Sequence, residues 1–352
     1  MSRRVTLVLS LAALLVLTCA CFAQQSVIQE RSKTAENLRG ASAVGRGIVW
    51  ASGTHGTYLR SLDNGDTWQV GQIPNAENLD FRDVEAFSAD LAYLLSIGPG
   101  ERSRIYKTID GGKNWTLQFT NKQADGFLDC MAFWDEDHGM AIGDPVGGKF
   151  EIITTNDGGK NWTSAPADNL PPAIDGEGAF AASGSCVATE GKNNVWFVTG
   201  GKAARVFRSK DRGKAWKVAD APLAHGNDSS GIFSVAFRDS KHGVIAGGDY
   251  KAAEKDGANL AFTDDGGATW KLAPIAPQWF FSEVSFDLRN KRTIWVVGTA
   301  GSAYADDADA KTWNRRWPIN LNGIAFSPSG DAFGVGPNGT IVHFKKPTLG
   351  SK

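Results

Sequence analysis

Eight charged residues and one tyrosine stand where this sequence could do chemistry. Arg39, Arg82 and Asp129 interrupt short runs whose other members are largely apolar. A charge inside a dry core is costly unless it is paired, so these three are expected to face an internal, water-filled space. Asp144 and Asp249 hold equivalent positions at the ends of two other runs, in Gly143-Asp144-Pro145 and Gly248-Asp249-Tyr250. Glu177 and Arg205 complete the charged set, and Glu283 stands at the start of a further run. Arginines in such a cluster can hold a carboxylate ligand through charge-assisted, bidentate hydrogen bonds. Carboxyl groups such as Asp144, Glu177 and Glu283, with the Tyr250 hydroxyl, can do acid/base or nucleophilic work. The other reading is an internal salt-bridge network that caps a wet channel and binds nothing. His55, Asp80, Glu85, Asp125, Asp175, Lys202, Asn227 and Asp228 fall on the same side of the same pattern.

These residues meet only if strands bring them together, and an internal repeat says how. The pattern Ser/Thr-x-Asp-x-Gly-x-x-Trp recurs from Ser61 to Trp68, Thr108 to Trp115, Thr155 to Trp162, Ser209 to Trp216 and Thr263 to Trp270. A decayed sixth copy with one extra residue runs from Asp306 to Trp313. Successive tryptophans are 47, 47, 54, 54 and 43 residues apart. Asp63, Asp110, Asp157, Asp211 and Asp265 are expected to accept backbone N–H bonds within tight turns. Glycine supplies the positive φ of such turns, and Trp68, Trp115, Trp162, Trp216 and Trp270 are expected to fill gaps between adjacent sheets. These are fold elements, not catalytic aspartates.

Each period holds four strand-like runs. In the third they are Phe127 to Trp134, His138 to Gly143, Lys149 to Thr155 and Trp162 to Ala165. In the fifth they are Gly231 to Phe237, Gly243 to Gly248, Asn259 to Thr263 and Trp270 to Pro274. Four antiparallel strands per period of this length make a propeller blade. A seventh set, Leu321 to Phe326, Ala332 to Gly336 and Thr340 to Phe344, lacks its fourth strand. Ser26 to Glu30 can supply it and leave no exposed sheet edge. The expected fold is all-β, a seven-bladed β-propeller of four-stranded antiparallel blades over residues 38–348, with residues 24–37 closing the ring. The repeat turns mark one face. The candidate residues above belong to the other, at the mouth of the central channel.

The repeated octad resembles the Asp-box, or BNR repeat, of sialidases and other glycoside hydrolases. A closer resemblance covers nearly the whole chain after residue 23. Ile48-Val49-Trp50-Ala51-Ser52-Gly53-Thr54-His55-Gly56-Thr57, leading into the first octad, is similar to units of the photosystem II assembly and stability factor family. That resemblance implies a seven-bladed propeller that binds protein and turns nothing over. The sialidase resemblance implies an arginine triad, for which Arg39, Arg82 and Arg205 are available. It also implies a tyrosine nucleophile paired with a glutamate, here Tyr250 with Glu177 or Glu283, and an aspartic acid, here Asp144. The Phe-Arg-Ile-Pro signature of those enzymes is absent, and Asn37-Leu38-Arg39-Gly40 stands in its place. Assembly by protein binding is therefore the preferred reading and glycoside hydrolysis the alternative. The partner is expected to be a protein, or a small anionic or carbohydrate ligand.

Bulk properties agree with an exported binding protein. Net charge is −1 over 352 residues, which gives no electrostatic reason to bind nucleic acid or an anionic membrane. Arg3 and Arg4, the apolar run Val5 to Ala20 and Cys21-Phe22-Ala23 read as a signal peptide over residues 1–23. The run is shorter than the ~20 apolar residues of a membrane span, so a periplasmic or extracellular chain without a stable span is expected. Cys130 and Cys186 remain after cleavage. Each lies inside an apolar strand, so free buried thiols are favoured over a pair. His55, His138, His225, His242 and His343 are scattered over five repeats. No zinc spacing occurs, and no metal or cofactor is expected. The chain is expected to be a monomer.

Overall fold

The computed structural model describes residues 26–165, 169–255, 257–307 and 310–345; the expected signal peptide lies outside them. The chain forms a seven-bladed β-propeller. Its inner strands are Leu38–Val44, Asp80–Ala86, Leu128–Phe133, Val187–Glu190, Ser230–Phe237, Glu283–Phe286 and Gly323–Phe326. Each heads an antiparallel four-stranded meander, and the inner strands of successive blades pack side by side, blade seven returning to blade one. Ser26–Arg31 pairs antiparallel with Thr340–Lys345 and forms the outer strand of blade seven. Blade five is widened to six strands by Glu177–Gly178 and Gly200–Gly201. Helix among the described residues is confined to two 3-10 turns, Gly100–Arg102 and Tyr250–Ala252. No helix among them is long and apolar enough to cross a membrane.

The repeated octads form the turns between third and fourth strands, and each aspartate ties its own turn. Asp63 Oδ1 accepts from Thr67 N at 2.8 Å, and Ser61 Oγ accepts from Gly65 N at 2.9 Å. Asp110 repeats this with Asn114 N at 2.9 Å, and Asp157 with Asn161 N at 2.9 Å. Side-chain hydrogen bonds from Asn114 and Asn161, followed by those backbone bonds, hold both carboxyls below their ordinary range. The turns also lock adjacent blades. Tyr58 of blade one donates to Gly112 O of blade two at 2.6 Å, and Tyr93 of blade two to Gly158 O of blade three at 2.8 Å. Trp196 of blade four donates to Gly266 O of blade five at 3.0 Å. The octad tryptophans sit in the same seams. Trp115 packs edge-on against Tyr58 and Trp50 of blade one, and Trp68 is buried with Phe333 of blade seven.

Cys130 and Cys186 form a disulfide, with Cα atoms 5.9 Å apart. This corrects the expectation of free thiols. Their apolar setting was read as that of single core residues. In the propeller the head of one inner strand lies beside the head of the next, so cysteines of blades three and four share one buried cluster.

Candidate functional site

Six of the seven blades send one residue from the head of the inner strand into a common cavity. In four of them a β-bulge decides which residue it is. The pairing of first and second strands skips one step between Leu38 and Ala41, Phe81 and Asp83, Leu128 and Cys130, and Ile232 and Ser234. The unpaired residues are Arg39 with Gly40, Arg82, Asp129 and Phe233. A bulge re-aims a side chain that regular alternation would place elsewhere. Here it turns these side chains toward the channel mouth, where Ser282 and Asn322 of blades six and seven join them. Close crossing of the backbones is made possible by glycine at the end of the second strand. A Cβ on Gly143, Gly247, Gly298 or Gly336 would lie 2.3, 2.0, 2.1 or 2.4 Å from a carbonyl oxygen of the incoming inner segment.

Blade four contributes differently. The segment from Glu177 to Cys186 crosses the mouth and lines it with Ala179, Phe180, Ala181 and Ala182. The Phe180 ring stacks on Phe233 with centroids 4.1 Å apart and planes 1° from parallel. Gly200 and Gly231 make room for it, since a Cβ on either would meet Phe180 Cε2 at 2.1 or 2.9 Å. Phe280 and Tyr250 stand edge-on to Phe233 at 4.8 and 6.1 Å. The result is a cavity of about 460 Å³ with an aromatic wall facing a charged wall.

The charged wall is internally bonded. Asp80 Oδ2 accepts from Arg39 at 3.3 Å and from Arg82 Nε at 2.9 Å, and Arg82 also donates to Ala181 O. Asp144 Oδ1 accepts from Ala179 N at 2.9 Å. Asp129 is 2% exposed, and its Oδ2 accepts no hydrogen bond. Burial and the neighbouring Asp144 push the Asp129 carboxyl well above its ordinary range, while Arg82 pulls the other way. Burial also raises Asp144. Three further acids stand on the inner strands of blades two and six. Burial lifts Asp83 to about 7 and Glu283 to about 8, and burial together with Asp83 and Glu283 raises Glu85. Asp83 accepts from Met131 N at 2.7 Å, and Glu283 from Ile324 N at 3.1 Å.

Of the residues singled out in the sequence, Arg39, Arg82, Asp129, Asp144 and Tyr250 meet in this cavity. Glu177 and Arg205 do not line it. They form a buried bidentate pair in which Arg205 Nε lies 2.8 Å from Glu177 Oε1, with Thr199 Oγ1 and Ile174 N completing the carboxylate's bonds. Asp249 caps the Tyr250–Ala252 turn through Lys251 N at 3.0 Å and binds Ser229 Oγ at 2.7 Å. Phe180, Phe233 and Phe280 were missed, because an aromatic residue in an apolar run reads as core. Aligning the repeats on their inner strands would have found Phe233, which holds in blade five the place of Arg82 and Asp129.

No protein-family model matches the chain, and no curated protein matches it in sequence. Solved structures do match. "YCF48 bound to D1 peptide" is 17% identical with a TM-score of 0.63, covering 91% of this chain and 96% of that one. YCF48 from Cyanidioschyzon merolae is 20% identical with a TM-score of 0.64, covering 90% and 98%. A streptogramin B lyase structure is 14% identical with a TM-score of 0.64, covering 90% and 96%. At these identities the likeness shows the fold.

Proposed function

We propose that this chain is an exported, non-catalytic binding propeller of the Asp-box type that holds a segment of a protein partner at the mouth of its channel. The observation that carries this reading is the built cavity, whose aromatic wall is cradled by two glycines and whose polar wall is fixed by hydrogen bonds to the chain itself. Glu177 and Arg205, the glutamate and third arginine that a sialidase-type site would draw on, are instead tied to each other in a buried bond outside the cavity. An extended segment supplies what the cavity lacks, apolar side chains for the rings and polar groups for the charged wall. The fold is shared with a YCF48 bound to a D1 peptide, which supports peptide capture as a use of this architecture. The Cys130–Cys186 bond supports export, since such bonds persist in oxidising compartments.

The test is affinity capture from the native compartment with the wild-type chain and with a Phe233→Ser, Arg82→Ser double variant. A partner retained by the first and lost by the second, with no turnover on sialosides or aryl glycosides, is expected. Equal capture by both, or measurable glycoside turnover, overturns the reading.

A further inference from the structure

We infer that the Asp129–Asp144 corner of this cavity is a subsite for the side chain of a lysine. The inference rests on the binding reading above and names the chemistry it selects. Asp129 is among the residues that line the cavity, is almost wholly buried, and has an Oδ2 without a donor. A buried carboxylate oxygen without a donor is costly, and a ligand ammonium supplies both the hydrogen bond and the charge. The local count of charges agrees. Two guanidinium groups, of Arg39 and Arg82, face the carboxyl groups of Asp80, Asp129 and Asp144. Burial favours the protonated forms of Asp129 and Asp144, a bound ammonium favours the ionised forms, and with all three ionised one excess negative charge is left for it to balance. Asp80 lies against both arginines, so Asp129 and Asp144 are the acids left to a ligand. One added cation neutralises the mouth.

The rest of the lining suits the stem of that cation. Ala179, Ala181 and Ala182 offer methyl surface for an alkyl chain, and Phe180, Phe233 and Tyr250 offer ring faces and edges. Ammonium groups are attracted to such rings. The chain itself illustrates this, with Lys251 Nζ 5.8 Å from the Tyr250 ring centroid at the rim. A carboxylate ligand fits less well, because it would meet the unpaired Asp129 oxygen and arginines already held by Asp80 and Ala181.

The test uses the full chain and three small probes followed by protein-detected NMR titration. They are Nα-acetyl-lysinamide, its uncharged isostere Nα-acetyl-norleucinamide, and alaninamide, which carries only an α-ammonium. The lysine probe is expected to bind about tenfold more tightly than norleucine, with alaninamide no better than norleucine. Asp129→Asn is expected to remove the preference. Asp144→Asn, which keeps an acceptor for Ala179 N, is expected to weaken it and serves if the first variant does not fold. Equal binding of lysine and norleucine probes, no binding of any, a preference for alaninamide, or a preference unchanged in both variants overturns the assignment. A partner captured through the cavity without lysine preference sinks the subsite alone. Lysine preference with no partner captured sinks the broader reading alone.

Discussion

Glu283 shows how one residue can tune the channel. Its carboxyl is raised to about 8 by burial, against an ordinary value of 4.5. An acid raised on folding stabilises the native state fully below its unfolded value, and that contribution is lost as pH climbs toward the folded value. Between pH ~4.5 and ~8 the wild type should therefore lose stability relative to Glu283→Gln, whose side-chain oxygen still accepts from Ile324 N. Thermal melts at pH ~5 and ~8.5 check this. The variant should gain more than about 1 kcal/mol over wild type between the two, the worth of one pK unit. A constant difference would show that Glu283 titrates normally. At this scale the sequence was a fair guide where charge interrupts apolarity, as with Arg39, Arg82 and Asp129. It was mute about pairing. Glu177 and Arg205 carry the same signal, and only the fold shows that they bind each other.

At the scale of the element, the inner-strand bulge is the device that makes the site. It inserts one residue beside the channel in four blades, and lets each of them vary that residue without altering the meander. A bulge leaves no mark in hydrophobic alternation over so few residues, which is why Phe233 reads as core. A second device is the glycine at the end of the second strand, present also in blade six, which has no bulge. Gly298→Ala places a methyl 2.1 Å from Phe280 O and must shift the backbone that carries Phe280. A loss of about 1–3 kcal/mol is expected from such overpacking, measurable by denaturant unfolding, and an unchanged midpoint would contradict it. Gly200→Ala is a sharper probe of the site. Its methyl meets the Phe180 ring at 2.1 Å, so it should unseat that ring from Phe233 and weaken partner capture more than it weakens the fold. The octad turns, by contrast, were fully legible, because their bonds run between residues of one short motif.

Over the whole molecule, the periodic octads and tryptophans spell out a ring of seven similar sheets, and the ring is what is observed. What periodicity could not show is how one blade departs from the rest. The long passage before blade four adds the strand Glu177–Gly178 to the sheet of blade five through Gly200–Gly201, crosses the channel mouth and is tied down by the Cys130–Cys186 bond. That bond spans 56 residues of sequence. By loop-closure entropy its removal should cost about 4 kcal/mol. A Cys130→Ser, Cys186→Ser chain should melt well below the oxidised wild type, and reduction of the wild type should reproduce the loss. Melting unaffected by either would mean that the crossing segment is held by packing alone.

The central claim is that partners dock at the mouth of the channel and not on the face of the octad turns. A photo-crosslinking residue placed at Tyr250, half exposed at the mouth, can be compared directly with one at Ile109, exposed on the opposite face. In the native compartment the first should give a discrete protein adduct and the second should give none. An adduct from position 109 with nothing from position 250 would contradict the account.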